Sequence, residues 1–528
     1  MRKLVLTSGF ILSITILSAQ EPLDAIRYSW LTPQGTARAQ SLGGAVSALG
    51  GDISALYTNP AGIGLYKTSE IVLTPGFTFS NNKATYRGAS ATDSKSSFNY
   101  GPVGVVWGIP SYKANSKWKN MSVGLAVSKA ANFNNRVYLS GENNQNSYSE
   151  KYIDQLYRDN RAGPNDIDEM LNDPNYRYGP ALAFNTYLID TITDMNGNFG
   201  YFSSASDILR TGGPLGQQQI ISTKGSISDF SIGVGGNYND VFYIGGSLNI
   251  NTLKYVRNSS FKEIDTKSDP GNYFDSFVAD DYLRTDGTGA SIKIGIIFKP
   301  VEALRVGLNF HSPSWYSFKD TYYASLTTDT EGYAGVKSQS SLDLNDGYAG
   351  EYTYRYKTPM RIGAGLAYIF GTQADVSSQK GFITADIEYV DYKGNTFNTQ
   401  DNTSAGDKEY FNKLNKDIDK VFKSAINFRI GGELKFETVM VRAGFNYYSN
   451  PYTSNYFDNQ PGDITNASRM NISGGLGWRN KGMFVDLAYI HQIIKDAYYP
   501  YRLDEGVYNA AKLSNTIGNI LLTVGFKF

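Results

Sequence analysis

The C-terminal segment places Ile520, Leu522, Val524, Phe526 and Phe528 on one face and Asn519, Thr523, Gly525 and Lys527 on the other. Alternation with period two specifies an extended strand with one apolar and one polar face. The pattern recurs in 426–436, where Ile426, Phe428, Ile430, Leu434 and Phe436 oppose Asn427, Arg429, Glu433 and Lys435. It recurs again in 304–311, where Leu304, Val306, Leu308 and Phe310 oppose Arg305, Asn309 and His311. Strands of a soluble sandwich run to about five or six residues, whereas a strand that crosses a bilayer needs about nine to eleven. The segments here are of the longer kind. Fourteen are expected, near 71–80, 97–109, 119–133, 225–238, 241–256, 288–299, 303–318, 357–370, 381–393, 424–436, 438–448, 470–479, 482–493 and 515–528.

The connections between them alternate in length. Short ones are Asn239-Asp240, 299–302, Glu437 and Asn480-Lys481, with 110–118 and 371–380 somewhat longer. Long ones are 81–96, 134–224, 257–287, 319–356, 394–423, 449–469 and 494–514. A transmembrane β-barrel with an even number of strands, short periplasmic turns and long outer loops produces this rhythm. The expected fold is therefore all-β: a transmembrane antiparallel β-barrel of about 14 strands. A cation facing lipid costs about 2–4 kcal/mol at the bilayer midplane, so the face carrying Arg429 and Lys435 is assigned to the lumen and the face of Ile426, Phe428 and Ile430 to lipid. Tyr447-Tyr448 and Tyr498-Tyr499 stand at strand ends, as interfacial aromatics or as ordinary loop residues.

Mean hydropathy is −0.34, which excludes a bundle of membrane helices but is compatible with a barrel whose faces average out. The 49 cationic and 49 anionic residues balance, and no basic cluster is present to meet nucleic acid. With no Cys, disulfides, thiolate metal sites and Cys nucleophiles are excluded. The start reads as a secretory signal peptide over 1–19: basic Arg2 and Lys3, an apolar run to Leu17, then Ser18-Ala19. Removing Arg2 and Lys3 leaves 47 cationic against 49 anionic residues, a mature charge of −2.

Residues 20–69 do not alternate. They are rich in small residues, with Gly43-Gly44, Gly50-Gly51 and Asn59-Pro60-Ala61-Gly62, and read as a compact plug inside the lumen of a barrel spanning 70–528. Asp52 is expected to cap a short helix over 53–57 that Asn59-Pro60 stops. The paired glycines lack the Lys-Ser/Thr of a phosphate loop.

The run from Ala39 through Gly62, above all Asn59-Pro60-Ala61-Gly62, resembles the hatch of the FadL/TodX-type family of outer-membrane long-chain fatty acid and hydrocarbon transporters. Similarity continues in Thr358-Pro359-Met360-Arg361-Ile362-Gly363, Asp386-Ile387-Glu388-Tyr389, Val441-Arg442-Ala443-Gly444-Phe445-Asn446-Tyr447 before Pro451, and Val485-Asp486-Leu487-Ala488-Tyr489. Phe528 is similar to the terminal aromatic read by barrel-assembly machinery. The resemblance implies a fourteen-stranded barrel in the cell outer membrane with an N-terminal plug and long extracellular loops. It implies gating at Asn59, Pro60, Ala61 and Gly62, and release through a wall defect, placed near Ala130 to Asn134 where alternation fails.

Catalysis finds little support. His311-Ser312 is a poor catalytic pair because neighbours on a strand face opposite ways, His491 has no acidic partner in register, and two scattered His without Cys make no metal site. Asp386 and Glu388 read as part of a lumen ion network with Arg361, Arg429 or Arg442. No enzyme, cofactor or metal is expected. In the long connection 134–224, Ile153, Leu156 and Tyr157, and then Ile167, Met170 and Leu171, recur at helical spacing. These two short amphipathic helices either hold a hydrophobic ligand or pack the loop on the rim. Arg429 and Arg442 either hold a ligand carboxylate or form structural salt bridges. The expected function is passive uptake of a hydrophobic small molecule, with a FadL-like accessory barrel of a surface-protein secretion system, or a general porin, as alternatives. The expected partners are that ligand, outer-membrane lipid and the assembly machinery, and a monomeric state is compatible with all of this.

Overall fold

The computed structural model describes residues 22–31, 35–113, 115–161, 163–267, 271–371, 380–401, 404–454, 467–504 and 507–528. The expected leader 1–19 lies outside the described residues, as does most of the expected short connection 371–380.

The chain closes into an antiparallel barrel of fourteen strands. They are β1 (Glu70–Leu73 and Pro75–Tyr86), β2 (Ala89–Tyr100 and Val103–Pro110), β3 (Trp118–Asn132), β4 (Leu215–Tyr238), β5 (Phe242–Asp265), β6 (Ser276–Val301) and β7 (Leu304–His311 and Trp315–Asp329). They continue as β8 (Gly350–Lys357 and Arg361–Phe370), β9 (Gly381–Asp391), β10 (Ser424–Phe436), β11 (Val439–Tyr448), β12 (Ser468–Asn480), β13 (Met483–Tyr498) and β14 (Ala511–Lys527). Closure is made by β14 on β1, with Glu70 opposite Lys527 and Gly76 opposite Leu521. At the β4–β5 turn, Asn239 and Asp240 both take φ of 57°, the left-handed pair of a two-residue hairpin turn that Asn and Asp tolerate.

Outward positions carry the apolar belt, including Ile71, Phe77, Phe98, Ile232, Ile294, Leu308, Ile387, Ile426, Phe428, Ile472, Leu487 and Ile520. The alternate positions Arg429, Glu433, Arg442 and Asp486 face inward and are buried. No described helix is long and apolar enough to cross a membrane. A closed sheet that wraps a polar interior in an exposed apolar belt is a transmembrane barrel.

Several connections expected to be loops are strand. Residues 81–96 form a hairpin turning at Arg87-Gly88, and β4, β5 and β6 run 24, 24 and 26 residues. Above the lipid both faces of a strand meet water or other loops, so hydrogen-bonded pairing continues where the apolar period stops. The expected single strands 303–318 and 357–370 are each interrupted, at 312–314 and 358–360. Pro313 and Pro359 lack the N–H that a ladder requires, and the two breaks lie side by side, Thr358 N donating to Ser314 O at 3.1 Å.

Tyr448 and Tyr499 are buried, against the interfacial reading. They join a large aromatic core under the long loops that includes Tyr28, Trp30, Tyr148, Phe261, Phe277, Phe318, Tyr354 and Tyr356. The N-terminal segment lies inside the barrel as helix α1 (Pro22–Ser29), helix α2 (Ala37–Ser41) and the 3-10 turns Ile53–Leu56 and Pro60–Leu65. Asp52 caps the first turn, accepting from Ser54 N at 2.9 Å. Asn59-Pro60 begins the second turn rather than only ending the first: Asn59 is its N-cap and Pro60 its first residue.

Candidate functional site

Asn59 is the best-anchored residue of the plug. Its Oδ1 accepts from Ala61 N at 3.2 Å, while its Nδ2 lies 2.7 Å from Ser47 O, 3.2 Å from Ile296 O and 3.3 Å from Leu308 O. One carboxamide therefore ties two plug turns to β6 and β7. The approach is possible because the wall is bare there. A Cβ on Gly295 would stand 1.8 Å from Asn59 Oδ1, and one on Gly245 would stand 2.4 Å from Pro60 O. Elsewhere Gly444 faces Gly43 and Gly431 faces Leu42 in the same backbone-to-backbone manner.

Polar side chains of the wall complete the attachment. Ser47 N donates to Asp386 Oδ2 at 3.0 Å, Ala37 N to Thr523 Oγ1 at 2.7 Å, and Asn446 Nδ2 to Gly43 O at 3.0 Å. Arg305 donates to Leu49 O at 2.6 Å, and Arg361 to Ser29 O at 2.5 Å. Toward the short-turn end Arg442 bridges Glu433 at 2.5 Å and Asp486 at 2.6 Å, and Arg38 of the plug reaches Glu433 at 3.4 Å.

Above the plug the wall is incomplete. β2 and β3 pair from Pro110–Asn120 up to Val103–Val127. Beyond that point the upper part of β2 pairs only with β1, and the upper part of β3 only with β4. The register of β3 on β4 slips between Lys129 and Ala131. This is the stretch in which alternation fails, Ala130 to Asn134. Behind it lies a cavity of about 350 Å³, floored by Trp30, Leu31 and Gln40 and walled by Tyr100, Phe133 and Asn471 among others. A second cavity of about 120 Å³ lies deeper, against Lys293, His311, Arg361, Glu388 and Arg429.

The sequence-selected residues separate into distinct places. Asn59, Pro60, Ala61 and Gly62 sit together at the plug–wall contact, all buried. Arg429 lines the deeper cavity, where it pairs with Glu388 at 2.7 Å. Arg442 lines neither cavity; two carboxylates enclose it. Asp386 binds the plug at Ser47 and forms no ion pair among the described residues. The two expected loop helices are present as α3 (Glu150–Arg158) and α4 (Asp166–Asn172). Leu156 and Met170 are buried in the aromatic core with Ile153 and Leu171 packed against it, Ile167 is half-buried and Tyr157 is exposed. His311 Nε2 contacts Thr58 O at 2.7 Å, while the Ser312 hydroxyl donates to Pro313 O at 2.8 Å, so the two do not meet. Sequence reasoning missed the wall glycines and the side chains at the gap. The glycines break the inward polar register of otherwise regular strands, and that was their one visible sign.

The molecule thus belongs to the class of plugged transmembrane β-barrels. Its fold is that of a Pseudomonas aeruginosa FadL homologue, with a TM-score of 0.51 over 95% of this chain and 100% of that one, at 12% sequence identity. The toluene transporters TodX of P. putida and TbuX of Ralstonia pickettii are also similar, each over 94% of this chain and 99% of its own, with TM-scores of 0.48 and 0.46 and identities of 12% and 11%. No protein-family model matches the chain, and no curated protein matches it.

Proposed function

We propose that the protein takes up a hydrophobic small molecule passively across an outer membrane, the ligand leaving sideways through the wall. The observation that carries this reading is the unpaired stretch between β2 and β3 with a cavity directly behind it and a firmly attached plug beneath. In hydrocarbon an unpaired strand edge costs several kcal/mol for each unmet backbone group, so a persistent gap calls for a use. The cavity lies between plug residues Trp30, Leu31, Gly35 and Gln40 and the strands at the gap. The belt residues Phe98 of β2 and Val127 of β3 flank the gap and offer an apolar way into the membrane. In this reading Asn59, Pro60, Ala61 and Gly62 keep the axial path shut, and Arg429 awaits a ligand only in the deeper cavity. Support from known proteins is the shared fold with a FadL homologue.

Uptake of radiolabelled oleate by a deletion strain, with and without the gene restored, tests the reading. Restored uptake is expected. Unchanged uptake together with lost secretion of surface proteins would overturn it in favour of a secretion accessory. Steady ion conductance of the purified barrel in planar bilayers would instead indicate a general porin.

A further inference from the structure

The wall gap is closed by side chains where the backbone ladder is missing. Lys129 Nζ donates to Phe98 O at 3.2 Å and lies 4.9 Å from the centre of the Tyr100 ring. Asn132 Nδ2 donates to Ser97 Oγ at 3.0 Å. Further up, Lys95 Nζ donates to Thr223 O at 2.9 Å, with Asn135 O and Ser222 Oγ each at 3.4 Å. The Tyr100 hydroxyl meets Ser228 Oγ at 2.9 Å. Two ammonium groups thus hold carbonyl oxygens across a seam where the backbone ladder is missing.

Lys129 stands two residues after the outward-facing Val127, at the outer edge of the apolar belt and level with Ser228, Thr252 and Thr288. Neither ammonium has a carboxylate within ion-pair distance among the described residues. The cavity behind them is lined by Lys129, Arg27 and Arg469 and many carboxamides, with no Asp or Glu. A neutral carbonyl is a weak partner for a cation, and an anion would be a stronger one.

We propose that Lys129, with Lys95 above it, is the latch of the wall gap and makes it selective for anionic amphiphiles. The inference rests on the lateral-release reading above. The anionic head of a ligand in the cavity exchanges for the carbonyl oxygens that the two ammoniums now hold. The seam then parts, and the tail passes between Phe98 of β2 and Val127 of β3 into the membrane. A neutral molecule with the same tail supplies no competing anion and leaves the latch fastened. Lys129 and Lys95 are positioning residues of the gate.

The test compares accumulation of radiolabelled dodecanoate and dodecanol by a deletion strain carrying the full-length protein. Wild type is expected to take up dodecanoate roughly tenfold faster than dodecanol, the order of one charge-assisted hydrogen bond. In Lys129→Met the preference falls to near unity, chiefly because dodecanol uptake rises. An unchanged preference in Lys129→Met, or no preference in wild type, overturns the latch. A second variant, Ser97→Cys with Asn132→Cys in this cysteine-free chain, fastens the seam with a disulfide. Oxidation is expected to stop uptake of both probes and a reductant to restore it. Uptake that persists under oxidation refutes passage through the seam while leaving transport itself standing, whereas absence of uptake in wild type refutes the transport reading. Heat-modifiable migration of each variant confirms a folded barrel.

Discussion

At the scale of the residue, Asn59 shows how much one buried carboxamide can hold. Its amide nitrogen is within hydrogen-bond distance of three carbonyls from the plug, β6 and β7. Asn59→Ala removes that donor and leaves buried acceptors unmet, a loss of about 1–3 kcal/mol for each group fully orphaned. The expected outcome is faster amide exchange across 47–62 and transient conductance steps in planar bilayers that wild type lacks. Gly295→Ala should give the same phenotype, because its Cβ would overlap Asn59 Oδ1. Glu263 makes a different case. It lies under the long loops, accepting from Ser147 Oγ at 2.5 Å, Tyr148 N at 2.8 Å and Gln217 Nε2 at 2.5 Å. Burial outweighs those donors and raises its carboxyl from 4.5 to about 7. A raised acid binds its proton more tightly when folded, so its contribution to stability is complete below pH 4.5 and is lost as pH rises through 7, about 3 kcal/mol in all. Amide exchange at 147–149, corrected for intrinsic rates, should therefore quicken between pH 4.5 and 7, level off above that in wild type, and not do so in Glu263→Gln.

At the scale of the element, inward charges brace neighbouring wall strands to one another and, through Arg38 on Glu433, to the plug. Arg442 on β11 is enclosed by Glu433 of β10 and Asp486 of β13. Removing one member of such a group strands the others, at a cost of about 3–5 kcal/mol. Arg442→Met should lower the temperature at which the barrel loses heat-modifiable migration, and Arg442→Met combined with Asp486→Asn, which leaves Glu433 paired with Arg38, should recover most of that loss. The inward direction of Arg429 and Arg442 was legible in the sequence because β10 and β11 alternate cleanly across the bilayer. The upper halves of β4, β5 and β6 were not legible as strands. In Lys254–Asp265, for example, Arg257, Asn258, Ser259 and Ser260 follow one another, and pairing there is dictated by neighbouring strands rather than by a lipid face. The failure of alternation at Ala130 to Asn134 was visible, but its closure by Lys95, forty residues from Asn135, depends on a fold-back no local pattern records.

At the scale of the whole molecule, lipid defines the outer surface and the plug defines the inner one. The belt predicts a simple asymmetry between adjacent positions. Ile387 points outward and Glu388 inward, so Ile387→Lys should cost about 2–4 kcal/mol and Ile387→Leu almost nothing, as measured by urea unfolding in lipid vesicles. The tyrosine-rich composition, 40 of 528 residues, is placed chiefly where the strand pattern gave no guidance. Tyr28, Tyr148, Tyr354 and Tyr356 build the core under the long loops, where the rings fill space and their hydroxyls find partners such as Ala25 O and Asn395 Oδ1 for Tyr356. Sequence hydropathy distinguishes lipid from lumen; it carries no signal for a core assembled from loops and an N-terminal helix.

The bare wall facing the plug also bears on biogenesis. Gly295 against Asn59, Gly245 against Pro60 and Gly444 against Gly43 leave no clearance for threading a folded segment into a finished cylinder. The last barrel strand in chain order, β14, accepts at Thr523 Oγ1 from Ala37 N of the plug, which precedes every strand. The cylinder must therefore be sealed around a plug already in place, which acts as a mandrel for the sheet that encloses it. A plug grafted from another barrel would have to match these glycines before closure could be completed at all.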